Sequence, residues 1–489
     1  MKFITVFRSP NGVTVPFGER NWLNIVSSTL LLVLSFPDFN LSYFAFIGFV
    51  PLFFAIKDKS PKKAFFISYV CGFIFYIETL CWLYHVTIAG LVVLCLYLAI
   101  YFGIFGIIIN RFGVLIAPAA WVALEYIQAH LSIMAFGWAL LGYSQYKNQL
   151  LIQIADFSGV YGVSFVVMMV NVTAWSLVRC VAKRRAQNAK RREKNLCPML
   201  LYAFCPAILI LALVYSYGFL RLNEKGPFKD AIKVSVIQGN IPQELKWDPE
   251  AQNMIIEKYV ALTKMAALDN PDLIVWPETS FPGFFETDKE MTDRVLNLAK
   301  DIKVPILAGV NTESDDRYFN SAVFISSEGK MIDKYDKIHL VPFGEYVPFS
   351  DKFPSFHKLV LGELGEFMPG KDFKVFKLKT SNLKPTTDFS VLICFEDIFS
   401  ELARRFVKNG AQFLVVITND AWYGRSGAAY QHAACSVFRA IENRVPIVRC
   451  ANTGYSCFID SRGRIYDSVE EKKSHLFITG YKTSTLLIN

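Results

Sequence analysis

A cysteine followed closely by two acids is the first place in the sequence where chemistry could occur. Residues 392–401 read LICFEDIFSE, so Cys394 ends an apolar run and Glu396 and Asp397 follow it. A free cysteine inside an apolar strand behaves as a small hydrophobic residue, whereas an ionised thiol at the end of a strand is a nucleophile. The spacing by itself leaves both interpretations open.

Polar side chains also follow other β-rich runs. Residues 276–278 (WPE) and 418–420 (TND) end two such runs, and residues 335–349 (YDKIHLVPFGEYVPF) follow a third. Reacting groups in α/β proteins often stand at strand ends, where the sheet holds them rigidly. The sequence therefore predicts a reactive site built from the ends of several strands.

A thiol nucleophile needs assistance, because it is mostly protonated at neutral pH. Glu278 can act as the base, and Lys337 as the cation that stabilises the thiolate and the oxyanion formed when a carbonyl is attacked. His339 and Glu345 lie in the same segment as Lys337. Each residue also has a plainer interpretation, because a lone lysine usually lies on a solvated face and a glutamate after Trp-Pro often lies in a turn.

The elements that must position these groups alternate between strands and helices. From Ala231 onwards, helical patterns at 251–269 and 398–408 lie among β-rich runs, and 320–335 has the pattern of a hairpin. This alternation predicts a mixed, layered α/β sandwich, and about 250 residues can bury a core of their own. The predicted strands are 232–240, 272–278, 304–310, 320–326, 390–395, 413–420, 445–454 and 456–463.

The first half of the chain has a different composition. The chain of 489 residues is 53% hydrophobic with a mean hydropathy of +0.32. Up to Arg221 there are 18 Lys/Arg and 7 Asp/Glu, and the remainder has 33 and 35. The basic excess therefore lies in the apolar half and indicates membrane topology. The second half lacks the basic surface that a nucleic-acid partner requires.

Long apolar stretches predict transmembrane helices. Residues 86–110, 157–178 and 198–220 contain no charged residue over 25, 22 and 23 positions. A helix that crosses a bilayer needs roughly 20 apolar residues. We predict seven spans, because four further stretches qualify, and we do not interpret the first as a cleavable signal peptide because other spans follow at once. The four are 21–37, 39–56, 64–84 and 112–129.

Loop charges orient the predicted spans. Residues 179–195 contain eight Lys/Arg and one Glu, and residues 57–63 contain four lysines, so both loops are predicted to be cytoplasmic. The N-terminus is then cytoplasmic, and everything after Arg221 is extracytoplasmic. The alternative for 179–195 is a patch that binds RNA or lipid.

Some polar and aromatic residues of the apolar half invite a separate interpretation. The segment 135–145 (AFGWALLGYSQ) is too broken for a spanning helix, and we expect an interfacial segment with Trp138 and Tyr143 at the level of the lipid headgroups. The ionisable residues in or near the spans are either functional or paired inside the bundle, namely Glu78, His85 and Glu125.

Other common sites are not expected. The ten cysteines show no regular spacing, so we predict neither a disulfide framework nor a zinc site. The sequence has no P-loop and no Rossmann glycine pattern, so we predict no nucleotide cofactor.

The motifs taken together resemble a known family. The segments WPE, DKIHLVPFGE and ICFED are similar to those that carry the Glu-Lys-Cys triad of the nitrilase superfamily. The wider set is similar to bacterial apolipoprotein N-acyltransferase, since general nitrilases lack the membrane half and this form of the lysine segment. The resemblance extends over residues 20–465 and rests on 121–127, 136–145, 236–248, 274–282, 335–348, 393–399, 418–424 and 431–456.

The resemblance implies an architecture and an activity. It implies an α-helical transmembrane bundle at 1–221 and an extracytoplasmic, nitrilase-like αββα sandwich at 222–489, in a bacterial cytoplasmic membrane. It implies acyl transfer from a glycerophospholipid, through a cysteine thioester, to the N-terminal amine of a diacylglyceryl-cysteine apolipoprotein. We expect a monomer without cofactor or metal.

The resemblance also implies roles for individual residues. The implied catalytic set is Cys394 as nucleophile, Glu278 as base, Lys337 as stabiliser of the thiolate and oxyanion, Glu345 as a second essential carboxylate and Glu396 as a supporting acid. The implied substrate contacts are Trp247, Asn320, Phe395, Trp138 and Tyr143.

Two departures from the family pattern leave alternatives open. Phe395 stands where many members have Tyr, which removes a hydroxyl but keeps the ring. Residues 474–489 contain no apolar stretch long enough for the usual eighth span, so either the lineage dispenses with it or the sequence is truncated. A membrane-tethered amidase and a non-catalytic binding protein remain as rival interpretations.

Overall fold

The computed structural model describes residues 17–188, 198–224, 230–348, 367–379 and 386–488. The chain divides into two units, Met1–Leu220 and Arg221–Asn489. Part of the predicted basic loop, residues 189–195, lies outside the described residues. Residues 179–188 continue a helix, so the part of that loop that is described is helical.

The first unit is helical. Each predicted span overlaps a helical region, and among the described residues three regions are long and apolar enough to cross a membrane: Ile88–Phe112, Leu151–Ala182 and Phe204–Asn223. The helices are α1 (Phe17–Ser35), α2 (Val50–Ile56), α3 (Pro61–Thr79), α4 (Ile88–Phe112), α5 (Ala117–His130), α6 (Ala155–Asn188) and α7 (Pro198–Asn223).

Helices α3 and α4 pack closely because small residues lie where they meet. A Cβ atom added to Gly72 would lie 2.6 Å from the Phe102 side chain, and one added to Gly103 would lie 2.5 Å from Phe65. Small residues are the usual means by which membrane helices approach one another.

The segment 135–145 is part of the interior of this unit. Trp138 and Tyr143 are 1% and 3% exposed. The Leu141 N–H donates to Glu125 Oε1 at 2.6 Å, and a Ser164 hydroxyl accepts the Gly142 N–H at 2.9 Å. Both rings are therefore packed inside the helical unit, and their position at the level of the lipid headgroups stays a prediction.

The three ionisable residues of the spans differ in environment. Glu125 is buried and also accepts a hydrogen bond from the Trp121 indole at 2.9 Å, so it is paired inside the bundle. Glu78 and His85 are exposed.

The described residues of the second unit form two sheets. The strands are β1 (Asp230–Gln238), β2 (Leu273–Val275), β3 (Phe284–Phe285), β4 (Ile306–Ser314), β5 (Arg317–Ile325), β6 (Met331–Asp336), β7 (Phe376–Leu378), β8 (Thr387–Ile393), β9 (Phe413–Thr418), β10 (Ile447–Ala451), β11 (Cys457–Ile459), β12 (Ile465–Ser468) and β13 (Gly480–Ile488). The first sheet has the strand order β13-β1-β2-β4-β5-β6 with β3 beside β4, and the second has the order β12-β11-β10-β9-β8-β7.

The sheets face each other between two layers of helices. Phe324 of the first sheet packs against Phe376 and Phe389 of the second. On the outer side of the first sheet, Ile306 and Val310 share a core with the helices of that layer. The helices of this unit are α8 (Gln252–Ala267), α9 (Lys289–Ile302), α10 (Ser400–Lys408) and α11 (Ala428–Asn443). The predicted layered sandwich is confirmed.

Some strands end earlier than the sequence predicts. Strands β2, β8 and β9 stop at Val275, Ile393 and Thr418, two or three residues earlier than predicted. The polar residues that follow are therefore outside the hydrogen-bonded ladders. The predicted hairpin is confirmed as β5 paired with β6.

Candidate active site

Cys394 occupies a sharp backbone turn directly after β8. Its φ angle is +53°, which is uncommon for a residue with a side chain, and a short 3₁₀ turn, Cys394–Ile398, follows. Backbone strain of this kind is concentrated at functional sites. Burial raises the pKa of the Cys394 thiol well above its usual range, and Glu278 raises it further, while Lys337 and a hydrogen bond with Thr418 lower it. The resting thiol is therefore protonated and needs a base.

A set of four residues, here called the acid–lysine cluster, comes from three segments: Glu278 after β2, Asn320 within β5, and Lys337 and Glu345 after β6. The Lys337 ammonium lies 2.9 Å from Glu345 Oε1 and 3.5 Å from Glu278 Oε1. The Asn320 amide donates to both of these oxygens at 2.8 Å. One lysine and one amide thus hold two carboxylates side by side.

The backbone holds the members of this cluster in place. The Lys337 N–H donates to Asn320 O at 2.9 Å, which extends the β5–β6 ladder by one residue. The second oxygens of the carboxylates accept main-chain N–H groups at 2.8 Å, Glu278 from Asn419 and Glu345 from Val341. Each carboxylate is therefore fixed at both oxygens, as a preorganised site requires.

Lys337 is charged in this environment. Burial opposes the charge, but Glu345, Glu278 and Cys394 outweigh burial and raise the pKa of Lys337 above its usual range. The resulting ammonium is a permanent point charge close to Cys394, and it can stabilise negative charge that develops there.

Glu396 connects two segments of the site. Its carboxylate is fully buried, and burial raises its pKa to about 7, while its hydrogen-bond donors act in the opposite direction. The donors lie 2.8–3.1 Å away and are the Tyr335 hydroxyl and the N–H groups of Ile338, His339 and Ile393. These bonds use both oxygens to join the Lys337 segment to the Cys394 turn, and the role of a supporting acid stays a prediction.

Behind the Cys394 turn lies a second set of buried polar residues, here called the elbow-support cluster: Asp397, Asp420, His432, Ser436 and Arg449. His432 Nε2 lies 3.1 Å from the Cys394 carbonyl oxygen and 2.9 Å from Asp397 Oδ1, and Nδ1 lies 3.1 Å from Asp420 Oδ1. Arg449 donates to Asp397 at 3.1 Å and to Asp420 at 3.3 Å. This cluster supports the strained turn from beneath.

The elbow-support cluster is balanced in charge. Burial and the Arg449 guanidinium oppose a charge on His432, but Asp397 and Asp420 outweigh them and raise its pKa to about 9. Burial also opposes the Asp420 charge, but Arg449 and His432 lower the pKa of Asp420 to about 2. Two carboxylates therefore face two cations.

The sequence did not predict two residues that are important to this geometry, His432 and Lys246. His432 lies in the segment 431–456, yet nothing in the order of residues marks it as a partner of the Cys394 turn. Lys246 precedes the half-exposed Trp247 and is itself buried, with its ammonium on the Glu278–Thr279 turn. The signal for both residues is burial, which is a tertiary property.

The predicted substrate contacts are placed in different settings. Asn320 is inside the acid–lysine cluster. Phe395 is half-buried and packs edge-on against Phe399. Trp247 is 37% exposed. Trp138 and Tyr143 belong to the helical unit. Over the described ranges, no group of His, Cys, Asp and Glu is arranged to hold a metal ion.

Comparisons with known proteins relate the chain to two domain families. Residues 28–173 match the apolipoprotein N-acyltransferase N-terminal domain, and residues 233–483 match the carbon-nitrogen hydrolase family. The chain is 40% identical to an apolipoprotein N-acyltransferase of Geobacter metallireducens over 94% of this chain and 88% of the relative. It is 29% identical to one of Chlorobaculum tepidum over 90% and 86%.

A solved structure of the nitrilase superfamily is also similar. It is an amidase of Nesterenkonia, with 16% identity and a TM-score of 0.40 over 52% of this chain and 90% of that one.

Proposed function

The chain belongs to the apolipoprotein N-acyltransferase family, and we propose that it transfers an acyl chain from a glycerophospholipid, through a thioester on Cys394, to the N-terminal amine of a diacylglyceryl-cysteine lipoprotein. The observation that carries the proposed mechanism is the acid–lysine cluster. It provides a fixed carboxylate and a permanent ammonium whose charges both act on the Cys394 thiol.

In the first half-reaction, Glu278 takes the proton from Cys394 and the thiolate attacks the ester carbonyl carbon of the phospholipid. A carbon–sulfur bond forms, and the negative charge moves to the carbonyl oxygen, where the Lys337 ammonium stabilises it. Collapse of this intermediate breaks the carbon–oxygen bond. The leaving alkoxide takes the proton from Glu278 and departs as a lysophospholipid.

In the second half-reaction, the lipoprotein amine attacks the thioester carbonyl carbon. Glu278 accepts the proton that the amine loses, a carbon–nitrogen bond forms, and the carbon–sulfur bond breaks. Cys394 leaves as a thiolate and recovers the proton from Glu278. One site that serves two substrates in turn gives ping-pong kinetics.

Glu345 and Asn320 complete the proposed mechanism. Glu278 exchanges a proton twice in each cycle, so its charge changes. Glu345 is not required to exchange a proton, and it lies 2.9 Å from the Lys337 ammonium. Together with the Asn320 amide, it keeps the ammonium in one place while Glu278 is neutral.

The membrane arrangement forms part of the proposal. All seven helical regions cross the cytoplasmic membrane, which places the N-terminus in the cytoplasm and the catalytic unit on the opposite side. The four lysines of 57–63 support this orientation, because cytoplasmic loops are enriched in basic residues. Both substrates are then lipids of the outer leaflet, and the enzyme acts as a monomer.

The test of the mechanism is direct detection of the acyl-enzyme. Purified protein is incubated with phospholipid alone and digested, and the mass of the peptide that contains Cys394 is measured by mass spectrometry. A long-chain acyl adduct on Cys394 that disappears when a diacylated lipopeptide is added is the expected result. An amidase would acquire no lipid acyl group, and a binding protein would acquire no adduct, so either outcome would refute the proposal.

The topology has its own test. Glu328→Cys places a thiol on the exposed turn between β5 and β6, and Ala186→Cys places one in the basic region. A membrane-impermeant maleimide applied to spheroplasts should label the first and not the second, until the membrane is opened. The inverted pattern would show that the catalytic unit faces the cytoplasm.

A further inference from the structure

Lys246 is a buried lysine of the catalytic unit. It is 5% exposed, and lysine is almost never buried unless it is paired. Its ammonium donates to Glu278 O at 3.2 Å, to Thr279 O at 3.1 Å and to the Thr279 hydroxyl at 2.9 Å. Across the part of the chain that the structure describes, no acidic side chain forms an ion pair with it.

The contacts of Lys246 fall on the turn that presents Glu278. Thr279 has a φ angle of +46°, so the main chain is strained directly after the base. An ammonium has three N–H donors, and this turn offers it three oxygen acceptors. The fit leaves no donor unsatisfied and fixes both carbonyl groups of the turn.

The charge of Lys246 also acts on the reacting groups. Burial lowers its pKa to about 7, and the charges of Glu278 and Cys394 oppose that shift. Electrostatic interaction is mutual, so a positive charge on Lys246 favours the ionised forms of Glu278 and Cys394 by the same interaction. Lys337 is already engaged by two carboxylates, which leaves Lys246 as a second source of positive potential at this site.

We propose that Lys246 is a positioning residue, which holds the turn that carries Glu278 and whose positive charge promotes formation of the Cys394 thiolate. The inference rests on the proposed function, since it gives Glu278 and Cys394 their roles. The proposal also assigns a role to the loop before Trp247, because Lys246 connects that loop to the turn that carries Glu278.

The test measures thiolate formation without any lipid. The rate at which iodoacetamide alkylates Cys394 is followed against pH in the full-length protein in detergent, by mass spectrometry of the Cys394 peptide. Lys246→Gln removes the charge but keeps N–H donors. We expect its alkylation profile to move to higher pH, with about a tenfold lower rate near neutral pH for each unit of displacement. Lys246→Arg keeps the charge but not the compact ammonium, so its Cys394 thiol should ionise at a lower pH than that of Lys246→Gln.

Matched controls separate this effect from a general loss of structure. Lys264→Gln makes the same change at an exposed lysine of α8 and should leave the profile unchanged. Thermal unfolding of each variant shows whether it is folded, and Lys246→Met serves as a second neutral variant. A wild-type profile in either folded neutral variant would overturn the proposal.

Two further outcomes are decisive. If neither neutral variant folds, Thr279→Val removes one acceptor while the lysine stays, and acyl transfer must still become slower; wild-type turnover would overturn the positioning role. If the wild type forms no acyl thioester but the Lys246 variants still shift the alkylation profile, the proposed acyl transfer fails and the role of Lys246 in thiol ionisation stands.

Discussion

The two buried clusters beside Cys394 contain similar types of residue but differ in their balance of positive and negative charge. The acid–lysine cluster has two carboxylates and one cation, and its Glu345 side chain is 14% exposed. The elbow-support cluster has two carboxylates and two cations, and its ion-paired side chains are at most 1% exposed. The acid–lysine cluster therefore has unequal numbers of carboxylates and cations and is partly exposed. The elbow-support cluster has equal numbers of each and is buried.

The difference separates chemistry from support. A base must change its charge during the reaction, so Glu278 needs neighbours whose own charges do not change. A supporting network must not change at all, since an unpaired charge in the interior is costly. Changes to the first cluster should therefore reduce the rate, and changes to the second should reduce stability.

The largest effect is expected from Cys394→Ser. A serine hydroxyl ionises far less readily than a thiol, so the variant should form no acyl-enzyme and transfer no acyl chain while remaining folded. The measurement is N-acylation of a diacylated peptide in detergent with phospholipid. Cys435→Ala, at a buried cysteine of α11, is the control and should retain activity. Full activity of the serine variant would remove the nucleophile from the mechanism.

Lys337→Arg should be the next most severe change. Arginine keeps the charge but presents a planar fork, which cannot occupy the position of a compact ammonium between two carboxylates. Loss of an oxyanion donor typically lowers the rate by about 10²–10³-fold. Lys374→Arg, at a half-exposed lysine paired with Asp333, should leave turnover unchanged. Normal turnover with Lys337→Arg would contradict the conclusion that the acid–lysine cluster serves chemistry while the elbow-support cluster serves stability.

Arg449→Met should act on stability instead of chemistry. It leaves Asp397 and Asp420 buried with one cation fewer, and breaking a buried ion pair costs about 3–5 kcal/mol. We expect a marked fall in the unfolding temperature, while Arg404→Met, at an exposed arginine of α10, should have little effect. An unchanged unfolding temperature for Arg449→Met would contradict the supporting role.

The smallest effect is a dependence of stability on pH through His432. Its pKa is about 9 in the folded protein and about 6.5 when unfolded. The folded state therefore binds the proton more tightly, and this contribution is complete below about pH 6.5 and is lost as pH rises through about 9. Asp397, Asp420 and Arg449 are the charged groups that contact it or act on it by charge.

The measurement for His432 is the unfolding temperature between pH 6 and pH 10. The wild type should lose stability across the upper part of this range. His432→Gln should be less stable at pH 6 and should show a flatter profile. Parallel profiles for the two proteins would show that His432 does not carry the charge.

The amino-acid sequence determined the features that depend on local order. Apolar stretches indicated the helical regions, and alternating patterns indicated most strands of the sandwich. The positions of Glu278, Lys337 and Cys394 just beyond strands were readable because a short apolar run followed by a polar residue is a local signal. The family resemblance then supplied roles that spacing alone left open.

The tertiary structure decided which groups meet and what they do. The strand Gly480–Ile488 was not predicted, because its ladder partner β1 lies about 250 residues earlier and pairing of that kind has no local signal. The burial of Trp138 and Tyr143 inside the helical unit has no local signal either.

Glu396 and Lys246 show this division at the active site. The sequence context of both ionisable residues suggests either exposure to solvent or a direct catalytic role. Both side chains are instead buried and form hydrogen bonds that hold backbone turns. The direction of a side chain depends on the turn that carries it, and its partners depend on distant segments brought together by sheet register. A sequence therefore determines which groups are available, and only the packed sheets determine which of them face the reacting thiol.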